Sequence, residues 1–101
     1  MPVLDRFDLT GRTAVVTGST RGLGRAFARA LAEAGANIVI VGRDAEAAAS
    51  VEQELAELPG ETLVVLADVT RRPDIERLLE ESAARFGRVD VLVNNAGACI
   101  H

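Results

Sequence analysis

A glycine-rich segment, TGSTRGLG at Thr17–Gly24, joins the first apolar stretch of the chain to the first amphipathic one. A turn that binds phosphate needs one residue that bends sharply, one that leaves the backbone bare, and one that lets helix and strand pack closely. Gly18, Gly22 and Gly24 occupy these positions in order. The N–H groups and positive dipole end of the following helix would then face the anion. The alternative is a tight turn that binds no ligand.

Four short apolar segments surround this turn and are rich in β-branched residues, which predicts strands. Their sequences are apolar almost throughout rather than alternating, which is typical of parallel strands covered by helices on both faces. The predicted strands are Thr13–Thr17, Asn37–Gly42, Thr62–Ala67 and Asp90–Asn94.

Three amphipathic segments lie between these strands and predict helices. The first ends at Gly35, the second is capped by Asp44 and stops at Pro59-Gly60, and the third runs from Pro73 to Gly87. Arg72, before the third, is a poor cap. The predicted apolar faces comprise Leu23, Ala26, Phe27, Ala30, Leu31 and Ala34 in the first helix, Ala48, Val51, Leu55 and Leu58 in the second, and Ile75, Leu78, Leu79, Ala83 and Phe86 in the third.

The order β-α-β-α-β-α-β predicts one α/β domain over residues 1–101 with a doubly wound parallel sheet. Right-handed crossovers give the strand order 3-2-1-4, with a ligand expected beyond the carboxyl ends of the first and fourth strands. A doubly wound sheet usually continues beyond the fourth strand. We therefore expect the sequence to be the first part of a larger fold.

Composition excludes several classes of protein. The net charge of −4 argues against a nucleic acid partner. The longest apolar run, Leu63–Ala67, is far shorter than the roughly 20 residues that span a bilayer, so we expect a soluble cytoplasmic protein. Cys99 is the single cysteine and cannot form an internal disulfide, and His101 is the single histidine, so no metal site is predicted.

Two further motifs accompany the turn: Asp68-Val69 at the end of the third strand and Asn94-Asn95-Ala96-Gly97 at the end of the fourth. Together with Thr17 and the Gly-x-x-x-Gly-x-Gly spacing, they resemble the short-chain dehydrogenases/reductases. The resemblance covers almost the whole chain. It implies a Rossmann-type fold and an NAD(P)-dependent oxidoreductase that reduces a carbonyl or oxidises an alcohol by hydride transfer, with this chain supplying the dinucleotide-binding half.

The resemblance also implies roles for individual residues. The residues from Ser19 to Leu23 would line the pyrophosphate and ribose, Asp68 would accept a hydrogen bond from the adenine amino group, and Asn94 would tie the fourth strand to the first. A purely structural Asn94 that satisfies backbone groups is the alternative. The predicted cofactor-binding residues are Gly18, Ser19, Thr20, Arg21, Gly22, Leu23, Gly24, Arg43, Asp68, Val69, Asn95, Ala96 and Gly97.

The end of the second strand bears on the choice of cofactor. An acidic residue there would bind the ribose of NAD and repel the extra phosphate of NADP. The sequence instead has Gly42 followed by Arg43, and Arg21 could approach the phosphate from the other side. NADP is therefore favoured over NAD. The alternative is that Arg43 is an ordinary surface arginine.

The chain contains no tyrosine and all eleven of its basic residues are arginine. The family's catalytic tyrosine and lysine are therefore absent, no catalytic residue is predicted, and we expect the chain alone to be inactive. The complete protein would act on a small-molecule alcohol or carbonyl compound, away from membranes, and we expect it to form a homo-oligomer. The alternatives are a non-catalytic dinucleotide-binding module and an inactive truncated product.

Overall fold

The structure is a computed structural model that describes residues 8–94. Strands and helices alternate along the described chain: β1 (Thr13–Thr17), α1 (Gly22–Glu33), β2 (Asn37–Gly42), α2 (Ala45–Leu55), β3 (Thr62–Leu66), α3 (Arg72–Phe86) and β4 (Val91–Asn94). Every predicted element is present. Several bounds differ from the prediction: β3 is one residue shorter, β4 starts one residue later, and α2 ends at Leu55, before Pro59.

The four strands form one parallel sheet in the order β3-β2-β1-β4, which confirms the predicted topology. Thr17 at the end of β1 pairs with Val41 of β2 on one side and with Asn94 of β4 on the other. Gly42 at the end of β2 pairs with Leu66 of β3. The carboxyl ends of all four strands therefore lie along the same edge of the sheet.

Helices cover both faces of the sheet, as the apolar strands predict. On one face, Val16 and Ile40 belong to a buried cluster that includes side chains of α1 and α2. On the other face, Val15 and Val39 cluster with Leu78 of α3. Burial of this apolar area is the main stabilising contribution to such a layered fold. The edge strand β4 is less covered, and Leu92 at its centre is 61% exposed.

Helix α1 packs on the sheet through a different face from the one predicted. Its buried residues are Gly24, Ala28 and Ala32, whereas Leu23 is 64% exposed and Phe27 is 43% exposed. The predicted packing face is therefore wrong at Leu23 and Phe27, although Leu31 of the same face packs against the buried cluster. Small residues spaced four apart allow a helix to lie close to a sheet, and the periodicity of apolar residues could not distinguish this stripe from its neighbour.

Helix α3 buries fewer residues than its predicted apolar face contains. Leu78 and Ser82 are its buried residues, and the Ser82 hydroxyl donates a hydrogen bond to the Leu78 carbonyl at 2.7 Å. Ile75 and Leu79 are partly exposed. The helix begins at Arg72, one residue before the predicted Pro73, and ends before Gly87 as predicted.

Asp90 fixes the amino ends of β1 and β4 relative to each other. Its carboxylate accepts hydrogen bonds from the Thr13 N–H at 2.8 Å and from Arg88 Nε at 2.7 Å, and its own N–H donates to the Thr13 carbonyl. The Thr13 N–H, followed by Arg88, lowers the pKa of Asp90. An ionised Asp90 therefore holds the register that brings Thr17 and Asn94 together at the opposite edge.

Candidate functional site

A cleft of about 540 Å³ lies at the carboxyl edge of β1, β2 and β3. Three turns that follow these strands converge there because parallel strands end on the same side. In open α/β sheets ligands bind at this edge, near the point where the strand order reverses. The cleft is lined by Gly18, Thr20, Arg21, Val41, Gly42, Arg43, Asp44, Ala67, Asp68, Val69 and Thr70.

The β1–α1 turn leaves its backbone bare at the positions predicted for phosphate. Gly18 and Gly22 have positive φ angles of 64° and 59°, which L-residues with side chains rarely adopt. A Cβ added at Gly22 would meet no atom within 4 Å, so packing within the described chain does not require glycine there. Gly24 is buried in the first turn of α1, where it allows close approach of the helix to the sheet.

The amino end of α1 has neither a side-chain cap nor an acidic residue. Arg21 is the N-cap residue and makes no side-chain cap hydrogen bond, and the first turn contains no Asp or Glu. The helix dipole and the first N–H groups therefore present a positive potential that no carboxylate of this turn offsets. This arrangement favours an anion at the head of the cleft.

Ser19 has a role that the sequence did not reveal. Its side chain is fully buried, accepts a hydrogen bond from the Val41 N–H at 2.9 Å and donates one to the Val41 carbonyl at 3.5 Å. It therefore anchors the turn to β2 instead of lining the cleft. Gly22, Leu23 and Gly24 are also absent from the cleft lining, and Leu23 lies exposed on α1. No pattern in the sequence distinguishes an anchoring serine from one that faces a ligand.

Asp68 presents an ionised carboxylate at the wall of the cleft. Its Oδ1 accepts hydrogen bonds from the Thr70 N–H at 2.9 Å and from the Thr70 hydroxyl at 2.6 Å. The Thr70 hydroxyl is the main cause that lowers the pKa of Asp68. The carboxylate is consequently a hydrogen-bond acceptor at neutral pH, as recognition of an amino group requires. Val69 lines the cleft beside it.

The end of β2 combines a glycine with a cation. Arg43 lines the cleft with a side chain that is 78% exposed, and its Nη1 lies 3.9 Å from Oδ2 of Asp68. A Cβ at Gly42 would lie 2.7 Å from Cγ2 of Thr20. Asp44 caps α2, as predicted, by accepting hydrogen bonds from the N–H groups of Glu46 and Ala47.

The carboxyl ends of β1 and β4 are joined through Thr17. Its hydroxyl lies 3.2 Å from both the Val93 carbonyl and the Asn94 Oδ1. The prediction that Asn94 ties the fourth strand to the first is therefore confirmed. The predicted cofactor residues Asn95, Ala96 and Gly97 lie outside the described residues, as do Cys99 and His101.

Residues 8–94 provide neither a metal site nor a membrane-spanning helix. In that range, no group of three or more His, Cys, Asp and Glu side chains is arranged to hold a metal ion. Within the same part of the chain, no helix combines the length and apolar character needed to cross a membrane.

The parallel sheet, its strand order and the cleft at the carboxyl edge of β1, β2 and β3 define the class of doubly wound α/β proteins. A family model described as short chain dehydrogenase matches residues 12–101, and the chain belongs to this family. Family membership confirms the resemblance carried by the three sequence motifs.

Similar proteins include oxidoreductases with different substrates. The chain is 46% identical over 87 residues to an L-fucose dehydrogenase of Bos taurus, a match that covers 86% of this chain and 31% of the relative. It is 40% identical over 89 residues to 3beta-hydroxysteroid dehydrogenase 2 of Eggerthella lenta, covering 88% of this chain and 34% of the relative. The chain thus spans about a third of the length of these curated relatives.

Solved structures agree in fold. A short-chain type dehydrogenase/reductase from Mycobacterium ulcerans superposes with a TM-score of 0.85 at 33% identity, over 90% of this chain and 34% of that one. The structure described as the Pseudomonas aeruginosa RhlG/NADP active-site complex matches with a TM-score of 0.81 at 42% identity, over 90% of this chain and 35% of that one.

Proposed function

We propose that the chain forms the dinucleotide-binding part of an NAD(P)-dependent oxidoreductase that reduces a carbonyl compound or oxidises an alcohol. The observation that carries this proposal is the β1–α1 turn, where Gly18 and Gly22 bare the backbone in front of an uncapped helix with no acidic residue in its first turn. A bound nicotinamide dinucleotide would supply the hydride acceptor or donor. The residues of this chain bind and orient it.

The residues around the cleft fit such a cofactor. The turn from Gly18 to Gly24 would hold the pyrophosphate through backbone N–H groups, while Asp68 would accept a hydrogen bond from the adenine amino group. Open space around a Cβ position at Gly22 supports the close approach of an anion. The NADP named in the Pseudomonas aeruginosa complex supports the same class of ligand for a chain of similar sequence.

We propose that the cofactor is NADP rather than NAD. Two guanidinium groups, those of Arg21 and Arg43, line the cleft beside Gly42, and Asp44 is the acidic side chain of the same turn. Asp44 already accepts two backbone hydrogen bonds as the cap of α2. Arginine can bind a phosphate through two parallel N–H donors, whereas an acidic residue at the Gly42 position would repel it.

We propose that catalysis requires residues that these 101 do not include. The 101 residues contain no tyrosine and no lysine, so the proton transfer that accompanies hydride transfer has no donor of the family type here. We expect the chain by itself to turn over no alcohol or ketone, and a complete protein to be a cytoplasmic homo-oligomer that acts on a small molecule. A dinucleotide-binding module without catalysis is the second candidate, favoured by the same missing residues.

Calorimetric titration with NADPH, NADH and adenosine monophosphate tests the proposal. We expect NADPH to bind more tightly than NADH, because only NADPH carries the extra phosphate. The same preparation, freed of host reductases, should oxidise no more NADPH than a heat-killed control when a ketone is added. Absence of binding by either dinucleotide would contradict the proposed function, and turnover above the control would contradict the expected inactivity.

A further inference from the structure

The first turns of α3 reach back to the loop that carries Asp68. Oδ2 of Asp74 accepts a hydrogen bond from the Asp68 N–H at 2.7 Å, and Nη2 of Arg77 donates one to the Leu66 carbonyl at 2.7 Å. Both bonds run from the helix to the end of β3. They fix the backbone on either side of Ala67, at the wall of the cleft.

The contact made by Asp74 is not an ordinary helix cap. An acidic residue at the third helical position commonly bonds the N–H of the N-cap residue. The N-cap residue of α3 is Arg71, and its side chain makes no cap hydrogen bond. Asp74 instead bonds the N–H of Asp68, three residues before the N-cap residue. Its carboxylate therefore orders the ligand-facing loop more than it orders the helix.

Thr70 fixes the orientation of the Asp68 carboxylate. Its N–H and hydroxyl both donate to Oδ1 of Asp68, at 2.9 and 2.6 Å. With Oδ1 held by two donors, Oδ2 is the carboxylate oxygen that Thr70 leaves available, and Nη1 of Arg43 lies 3.9 Å from it. Asp74 thus positions the backbone of Asp68, and Thr70 sets the rotation of its carboxylate.

We propose that Asp74 and Thr70 are positioning residues of the adenine subsite, which hold Asp68 so that Oδ2 accepts a hydrogen bond from the adenine amino group. This inference rests on the proposed function, since it assumes that a dinucleotide occupies the cleft. Asp74 lies outside the cleft lining, whereas Thr70 is part of it and holds the Asp68 carboxylate through both of its donors. Both act through Asp68, so their contributions to affinity exist only while the Asp68 carboxylate is present.

A double-mutant cycle, measured by NADPH titration of the protein made from its full reading frame, tests this dependence. We expect Asp74→Ala and Thr70→Val each to weaken NADPH binding about tenfold, the equivalent of one displaced hydrogen bond to a charged group. In an Asp68→Ala background the same changes should weaken binding less than about twofold, because coupled residues are not additive. Asp74→Asn and Thr70→Ser retain the acceptor and the hydroxyl, and they should restore most of the affinity.

Glu80→Ala is the matched control, since it removes an exposed carboxylate further along α3. It should leave the affinity for NADPH unchanged. Equal losses with and without the Asp68 carboxylate would show a general structural role and overturn the inference, while leaving the proposed function intact. A wild-type protein that binds no NADPH would overturn both. If Asp74→Ala does not fold, the Thr70→Val and Thr70→Ser pair completes the cycle by itself.

Discussion

The β1–α1 and β2–α2 turns both connect a buried strand to a helix at the same edge of the sheet. They differ in whether a side chain caps the amino end of that helix. At the start of α2, the Asp44 carboxylate accepts hydrogen bonds from two N–H groups, and Glu46 adds a second acid. At the start of α1, Arg21 makes no side-chain cap bond and no acid is present. The β2–α2 turn thus supplies side-chain acceptors for its own helix, whereas the β1–α1 turn supplies none.

The β3–α3 turn is intermediate between these two, because its helix has no side-chain cap but does have an acidic residue in its first turn. Arg71 makes no side-chain cap bond, but Asp74 in the first turn of α3 bonds the backbone of Asp68. Among the three described helices, α1 is therefore the one whose first turn carries no acidic residue. We interpret this difference as an arrangement of the β1–α1 turn for a negatively charged ligand, and substitutions in each turn test that interpretation.

The largest effect is expected for Gly22→Val. The change places a β-branched side chain at a φ of 59° and fills the open space where the phosphates would approach, so NADPH affinity should fall by at least about a hundredfold. Calorimetric titration of the full-length protein measures the loss.

Gly87→Val is the matched control for backbone strain. Gly87 also has a positive φ, 80°, and open space around its Cβ position, but it lies at the carboxyl end of α3, away from the cleft. Strain of about 1–3 kcal/mol is expected in both variants. Only Gly22→Val should lose NADPH, and an equal loss in both would remove the evidence for a phosphate-binding turn.

A smaller effect is expected at the start of the β2–α2 turn. Arg43→Ala should weaken NADPH by about tenfold to a hundredfold, and NADH much less, if its guanidinium binds the extra phosphate. Added salt should weaken NADPH binding more than NADH binding, because a partly exposed charge contact is screened. Equal weakening of both cofactors would identify Arg43 as an ordinary surface residue. Gly42→Asp is a less specific test, since a Cβ there meets Thr20 at 2.7 Å.

The smallest effect concerns stability and compares the two helix caps directly. Asp44→Ala should lower the free energy of unfolding by about 1 kcal/mol, because α2 loses its cap. Asp44→Asn keeps a capping oxygen and should cost less. Arg21→Ala should have almost no effect on unfolding, since its side chain caps nothing. Thermal denaturation of the three variants checks this order, and a destabilised Arg21→Ala would mean that the two helix ends do not differ as described.

Much of this fold could be predicted from the sequence because each feature has a local cause. Some features depend only on residues within a few positions of one another. They are the β-branched residues of β1 and β2, the cap of α2 by Asp44 and the end of α3 at Gly87. Right-handed crossovers then leave few topologies to consider. The parallel order β3-β2-β1-β4 follows from those rules.

The parts that could not be predicted depend on contacts between distant residues. Apolar residues occupy adjacent stripes of α1, so their spacing did not show that Ala28 and Ala32, rather than Phe27, meet the sheet. The Ser19 side chain is bonded to Val41, 22 positions away. The position of Asp74 in the sequence indicates only an acidic residue near the start of a helix, although its carboxylate accepts a hydrogen bond from the Asp68 N–H. Each role is set by tertiary packing, which no local pattern encodes.

Amide chemical-shift mapping during a titration with NADPH tests the central claim most directly, because it reports which backbone groups meet the ligand. We expect the largest shifts at Gly18, Gly22, Gly42 and Asp68, at the carboxyl edge of the sheet, and little shift at Gly60 and Gly87. Shifts that are absent at Gly18 and Gly22, or that are largest around Gly60, would contradict the assignment of the β1–α1 turn as a dinucleotide site.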